Sequence, residues 1–230
     1  MRIQIYACDQ LLVLVAGGQY RLMRLGIVAC EAFRKELEMV TGGDPDVVHK
    51  EYLDFGLHAY PETLRRAITE KVNSLEGRVD AVFIGYGICQ SLKGISGELR
   101  VPALRLDCDD CIATLLTPPI YEAERRKCAG TFFVTPFFAE RGMEGMMKEL
   151  RLDSPKFQRY DKMWFIRRLF DGYSRALFVD TGVGNRERYE ALSRAFAEEL
   201  GLKHEATKGT VSVLAEALSK AKQLAGQKSG

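Results

Sequence analysis

Short apolar runs alternate with amphipathic stretches along most of this chain. LGIVAC (25–30) is apolar throughout, the character of a strand buried on both faces. In EAFRKELEMV (31–40), by contrast, Phe33, Leu37 and Val40 recur at helical spacing. The pairing then repeats: DVVHKEYL (46–53) reads as a strand, and YPETLRRAITEKVNSLEG (60–77) as a helix with Pro61 in its first turn and Gly77 after its last. Strands DAVFIGYG (80–87) and VPALRL (101–106) follow, then a helix CIATLLTPPIYEAERRK (111–127) and a strand TFFVTPF (131–137). A helical, less regular region extends to about residue 172. RALFVDTG (175–182) is a strand, and RERYEALSRAFAEELG (186–201) and TVSVLAEALSKAKQLA (210–225) are helices.

Buried strands alternating with helices predict right-handed βαβ units. The expected class is therefore α/β, a mainly parallel sheet with helices on both faces, doubly wound and Rossmann-like. With 230 residues the chain can build one sizeable core, and residues 23–224 read as a single α/β domain with a flexible tail at 225–230. Apolar and charged contents of 47% and 28% are those of a globular protein, and no stretch approaches the roughly 20 apolar residues of a membrane span. The formal charge of +2 comes from interspersed acids and bases, so no basic footprint for nucleic acid stands out. The expected partner is a small-molecule substrate, with neither nucleic acid nor membrane. The N-terminal MRIQIYACDQLLVLVAGG has an apolar core of only about six residues preceded by Asp9, too short for a secretory signal, which points to the cytoplasm.

Cysteine placement changes the picture most. Cys8, Cys30, Cys89, Cys108, Cys111 and Cys128 are too scattered for a disulfide framework in a chain of this length, so free or metal-bound thiols fit better. Cys30 closes the first strand, Cys89 follows the third and Cys111 opens the helix after the fourth. All three fall at the carboxyl edge, where open α/β sheets bind ligands. Neighbouring strands lie about 4.8 Å apart, so thiols distant in sequence could converge there on one metal. The competing reading makes each of them a small hydrophobe packed at a strand end. Cys108 and Cys111 form a CxxC pair, yet no second CxxC or histidine pair completes a zinc ribbon. Asp109 or Asp110 is placed to cap the helix, leaving the other acid for coordination or proton transfer. Cys8 and Cys128 read as incidental.

The turn GYGICQSLKGISG (85–97) lies at the same edge, and Gly85, Tyr86 and Gly87 are candidates to line a pocket; tight turning alone would also explain the glycines. The turn matches neither a dinucleotide fingerprint nor a P-loop. His58, between strand and helix, is the candidate for acid/base work, set against a structural hydrogen-bonding role.

Taken together, GIVACEAFRKEL, YLDFGLHAYPETLRRAI, DAVFIGYGICQSLKGI, VPALRLDCDDCIATLL and GTFFVTPFFAE resemble the domain of unknown function 1638 family of bacteria and archaea, from about Leu25 to Thr181. The matching positions include His58, Pro61, Gly85, Tyr86, Gly87, Cys89, Asp110, Cys111 and Ile112, with Cys30 as a third matching cysteine. Relatives carry histidine where this chain has Asp109, which implies a different use of that carboxylate here. They also begin near Met23, so residues 1–22 are expected to be a non-native or flexible extension. The resemblance implies a link to anaerobic one-carbon metabolism, with a corrinoid or methyltransferase protein as partner.

Two functions follow as expectations. One is a metalloenzyme in which Cys30, Cys89 and Cys111 hold a 4Fe-4S cluster, or alternatively zinc, with His58, Asp109 and Asp110 as catalytic groups. The other is a non-catalytic accessory protein for a corrinoid or methyltransferase partner, its cysteines structural.

Overall fold

The computed structural model describes residues 13–15, 18–20, 23–88 and 92–227. Cys8 and Cys89 lie outside the described residues. Within the stretch read as an extension, Val13–Val15 (β1) and Gly18–Tyr20 (β2) pair as an antiparallel hairpin.

The first α/β unit begins at β3 (Leu25–Cys30), buried at every position as its apolar run requires. A short 3-10 turn at Glu31–Phe33 leads into α1 (Arg34–Thr41), and β4 (Val47–Leu53) follows. A second 3-10 turn (Phe55–Ala59) precedes α2 (Pro61–Asn73), whose Leu64, Ile68 and Val72 form the buried stripe. Then come β5 (Ala81–Gly85) and β6 (Ala103–Arg105). These strands form one parallel sheet in the order β4-β3-β5-β6. The chain moves outward from β3 to β4 and then crosses back to β5, so the direction of winding reverses between β3 and β5. That reversal is the switch point of a doubly wound sheet.

Beyond β6 the structure departs from the pattern in the sequence. The expected helix over 111–127 is two, α3 (Cys111–Leu116) and α4 (Pro118–Lys127), broken at Thr117 with φ 70° and ψ 145°. Pro118 and Pro119 cause the break, since proline lacks an N–H and disfavours helical backbone in the residue before it. The strand expected at 131–137 stops at Val134 (β7, Thr131–Val134), because Pro136 opens α5 (Pro136–Glu149). Gly142 kinks that helix with φ 52°. The less regular region contains α6 (Lys162–Leu169), capped by Asp161. Next are β8 (Arg175–Asp180) and α7 (Arg186–Leu200), then β9 (Lys203–Lys208), which the polar run KHEATK concealed. Finally, α8 (Ser212–Gln227) runs three residues into the stretch read as a tail.

Strands β7, β8 and β9 make a second parallel sheet. The α/β class thus holds, but among the described residues the seven parallel strands divide between two sheets where the sequence suggested one. Phe132, Phe170 and Phe196 anchor the packing of the second. Buried Arg175 ties it together through Glu124 (2.7 Å), Glu205 of β9 (2.9 Å) and Thr131. Helix α8 returns to the first sheet, contributing Leu214, Leu218 and Ala221 to its core. No helix among the described residues is long and apolar enough to cross a membrane.

Candidate functional site at the carboxyl edge of the first sheet

Strand register decides what meets at the switch point. Cys30 stands opposite Leu53 on β4, Ala29 opposite Gly85 on β5, and Ile84 opposite Arg105 on β6. The residues that leave these strand ends therefore share one edge: Cys30 and Glu31, Asp54 to His58, Tyr86 to Ile88, and Asp107 to Cys111.

Cys30 is buried, and its thiol accepts from the Ala32 N–H. Desolvation pushes that thiol up to about 12, the Glu31 and Asp54 carboxylates add to the rise, and Arg141 opposes it. Cys111, half-buried as a residue, is likewise pushed up to about 12, first by desolvation, then by Asp110 and by Cys30 itself. These two thiols are thus electrostatic neighbours across the edge. Cys108 is different: it packs into the hydrophobic core and bonds the Thr114 hydroxyl, so the two members of the CxxC pair part company. Among the described residues no group of three histidine, cysteine or acidic side chains is arranged to hold a metal.

Asp110 caps α3, taking the Ala113 N–H at 2.8 Å on Oδ1 and the Tyr121 hydroxyl at 2.6 Å on Oδ2. Both oxygens are committed to structure, which fixes the helix that begins with Cys111. Asp109 is exposed, with no side-chain bond among the described residues. His58, in the Phe55–Ala59 turn, has ring centroids 5.1 Å from Phe55 and 5.6 Å from Tyr86, and desolvation lowers its pKa.

The two glycines serve close packing of the chain on itself. A Cβ at Gly85 would come within 2.5 Å of the Ala29 Cβ, and one at Gly87 within 2.5 Å of the Cys108 carbonyl oxygen. The Ile88 N–H donates to that same carbonyl at 2.7 Å. Gly87 thereby lets the turn after β5 lie directly on the turn that carries Cys108 to Cys111. Tyr86 is buried beside His58.

Sequence reasoning missed a set of charges here. Glu31 Oε1 accepts from the Phe55 N–H at 2.8 Å and from Arg141 Nη1 at 2.7 Å, while Arg141 Nε pairs with Glu149 at 3.2 Å. Arg141 also lies over the Phe137 ring, 4.8 Å from its centroid. Burial raises the Glu149 pKa, helped by Asp54 and Glu31. Two carboxylates thus share one guanidinium, and with Asp54 nearby the neighbourhood of Cys30 is net negative. Position hinted only at one partner: Glu31 directly follows Cys30, whereas nothing near Arg141 in sequence marks it as its counterpart.

A second polar group joins α1 to the other half of the molecule. Buried Glu36 accepts from Thr181 at 2.8 Å, and Lys35 donates to the Tyr189 hydroxyl at 2.6 Å while pairing with Glu140.

Among solved structures, glutamate racemase from Aquifex pyrophilus is similar at 16% identity, over 86% of this chain and 82% of that one, with a TM-score of 0.38. An N-acetyl-L-ornithine transcarbamylase is similar at 12% identity, over 81% and 60% of the two chains, with a TM-score of 0.22. No curated protein matches. The family model described as protein of unknown function (DUF1638) matches residues 52–218, a span that includes the His58 turn, the turn after β5 and Cys111. The chain belongs to the DUF1638 family.

Proposed function

We propose that this protein is a cytoplasmic metal-dependent enzyme of the lyase or transferase type, acting on a small molecule in one-carbon or corrinoid-linked metabolism. Its centre is a three-thiolate site of Cys30, Cys89 and Cys111, with an iron-sulfur cluster favoured over zinc. The supporting observation is that Cys30, at the end of β3, and Cys111, just beyond β6, leave the same carboxyl edge of the first sheet, close enough that Cys30 adds to the raised pKa of Cys111. Their chemistry favours a metal over a free nucleophile. Both thiols are desolvated and face carboxylates, so each keeps its proton at neutral pH until a cation compensates the thiolate. Three thiolates on either centre leave one position for substrate, where the metal supplies Lewis-acid chemistry.

Around that position His58, held neutral by its aromatic neighbours, accepts a proton, and exposed Asp109 is the second proton-transfer group. Asp110 positions Cys111 through the helix cap, and Tyr86 forms the apolar wall behind His58. Anaerobic purification followed by metal analysis and an absorption spectrum tests the assignment. Broad absorbance near ~400 nm, lost in Cys30→Ala, Cys89→Ala and Cys111→Ala, is the result expected of a cluster. Stoichiometric zinc without colour selects the second metal. A colourless, metal-free protein prepared under strict anaerobiosis refutes the centre.

A second reading is a non-catalytic accessory protein for a corrinoid or methyltransferase partner, its cysteines structural. It is favoured by one observation, the exposed aromatic surface around Trp164.

A further inference from the structure

Helix α6 turns Ile166 and Met163 into the core of the second sheet, yet Tyr160, Trp164, Phe165 and Leu169 face outward. Trp164 is 61% exposed and Tyr160 68%, an unusual degree for side chains of this size. The segment 151–171 that carries them is rich in cations and has the exposed acids Asp153 and Asp161, with Asp161 also capping α6. Arg151, Lys156, Arg159, Lys162 and Arg167 have no ion pair among the described residues, whereas Arg168 is committed to Asp171. Exposed tryptophan, tyrosine and phenylalanine on a segment with an excess of arginine and lysine is the composition of a binding hot spot. Arg151 holds a left-handed backbone, φ 55°, and its guanidinium lies 5.2 Å from the Tyr60 centroid, directly after the Phe55–Ala59 turn that carries His58.

The geometry points to a docking surface on α6 for an acidic protein, one whose own contact face is an apolar patch ringed by aspartate and glutamate. Charge complementarity selects the sign: five cations without an ion pair outnumber the two such acids of the segment, Asp153 and Asp161, so its excess charge attracts carboxylates and repels a basic partner. Scale selects a protein over a lipid surface. A helix of eight residues is about 12 Å long, enough to seat a few anchors but short beside helices that lie in a membrane interface. The surface is independent of the metal assignment and stands or falls without it.

Trp164 is the only tryptophan, so its emission reports occupancy of this surface directly. The probe is a fluorescein-labelled amphipathic peptide with a leucine face flanked by glutamates, titrated against the full chain. Controls are its lysine-flanked counterpart, phosphatidylserine–phosphatidylcholine vesicles, and the protein alone over a concentration series. The docking surface predicts a blue shift with the acidic peptide, weakening as salt rises, and affinity reduced about tenfold or more in K162E/R167E with an unchanged circular dichroism spectrum. Phe165→Ser, which alters no charge, should weaken binding without changing the salt slope and serves if the double variant fails to fold. Equal affinity for the lysine-flanked peptide, or none for either peptide, overturns the proposal. So does a shift seen only with vesicles, or only on self-association of the protein.

Discussion

Arg141 Nη1 sits 2.7 Å from Glu31 Oε1, so the residue that follows Cys30 is held by a helix leading out of the second sheet. The thiol end of β3 therefore depends on α5 for its electrostatics as well as on its own sheet. Replacing Arg141 by alanine leaves Glu31 and Glu149, both mostly buried, near Asp54 without a cation. A loss of about 1–3 kcal/mol is expected, measured by urea unfolding. A double-mutant cycle with Glu31→Gln should give a coupling of about 1 kcal/mol; additive losses would show that the pair carries none of it.

Thiol reactivity should separate the cysteines. Cys30 and Cys111, pushed up to about 12, should react with iodoacetamide at pH 7 about a thousandfold more slowly than an ordinary free thiol. Cys128 lies the other way, because the hydroxyls of Ser174 and Thr131 stabilise its thiolate, and it should be alkylated before either. Peptide mapping by mass spectrometry after timed labelling reads the order. Rapid modification of Cys111 would refute the account of its surroundings and support a nucleophilic role instead.

Much of the first sheet was legible in the sequence because its strands are buried on both faces and its helices are amphipathic, as LGIVAC and Leu64, Ile68 and Val72 illustrate. The second sheet was harder to read. Strand β9 carries lysine, histidine and glutamate on an edge, and Glu205 is needed there for Arg175, so no apolar run marks it. At the site, residues adjacent to a strand end could be named from position alone. The Arg141–Glu31 pair spans the two sheets, and no local pattern encodes a contact between halves that fold around separate cores. The CxxC spacing carried no site by itself: Cys108 packs into the core, while Cys111 opens α3 at the carboxyl edge.

Glu36 gives a pH-dependent prediction with a definite sign. Burial raises its pKa, so the native state binds this proton more tightly than the unfolded chain does. Its contribution is fully present below the unfolded value near 4.5 and is lost as pH rises through the higher native value. Glu36→Gln keeps an oxygen for the Thr181 hydroxyl and removes the charge. It should therefore be neutral to stabilising by about 1 kcal/mol at pH 7, with the gain disappearing by pH 4. Urea midpoints at the two pH values decide; a variant less stable at pH 7 than at pH 4, relative to the parent, contradicts the sign.

Thr117 occupies backbone that glycine tolerates and a β-branched residue does not, φ 70° with ψ 145°, in order to join α3 to the Pro118 start of α4. Thr117→Gly should raise stability by about 1 kcal/mol, visible as an increased Tm. A lower Tm would mean that the threonine side chain repays its strain.

Helix α8 is made after every strand of the second sheet, yet Leu214, Leu218 and Ala221 cover a face of the first. During synthesis the nascent β3-β4-β5-β6 sheet must wait, one side open to solvent, until the ribosome has released all of the intervening chain. The thiol-bearing edge would then acquire its final shape only after α8 has emerged and docked, which would leave a chaperone an exposed apolar face to guard until then.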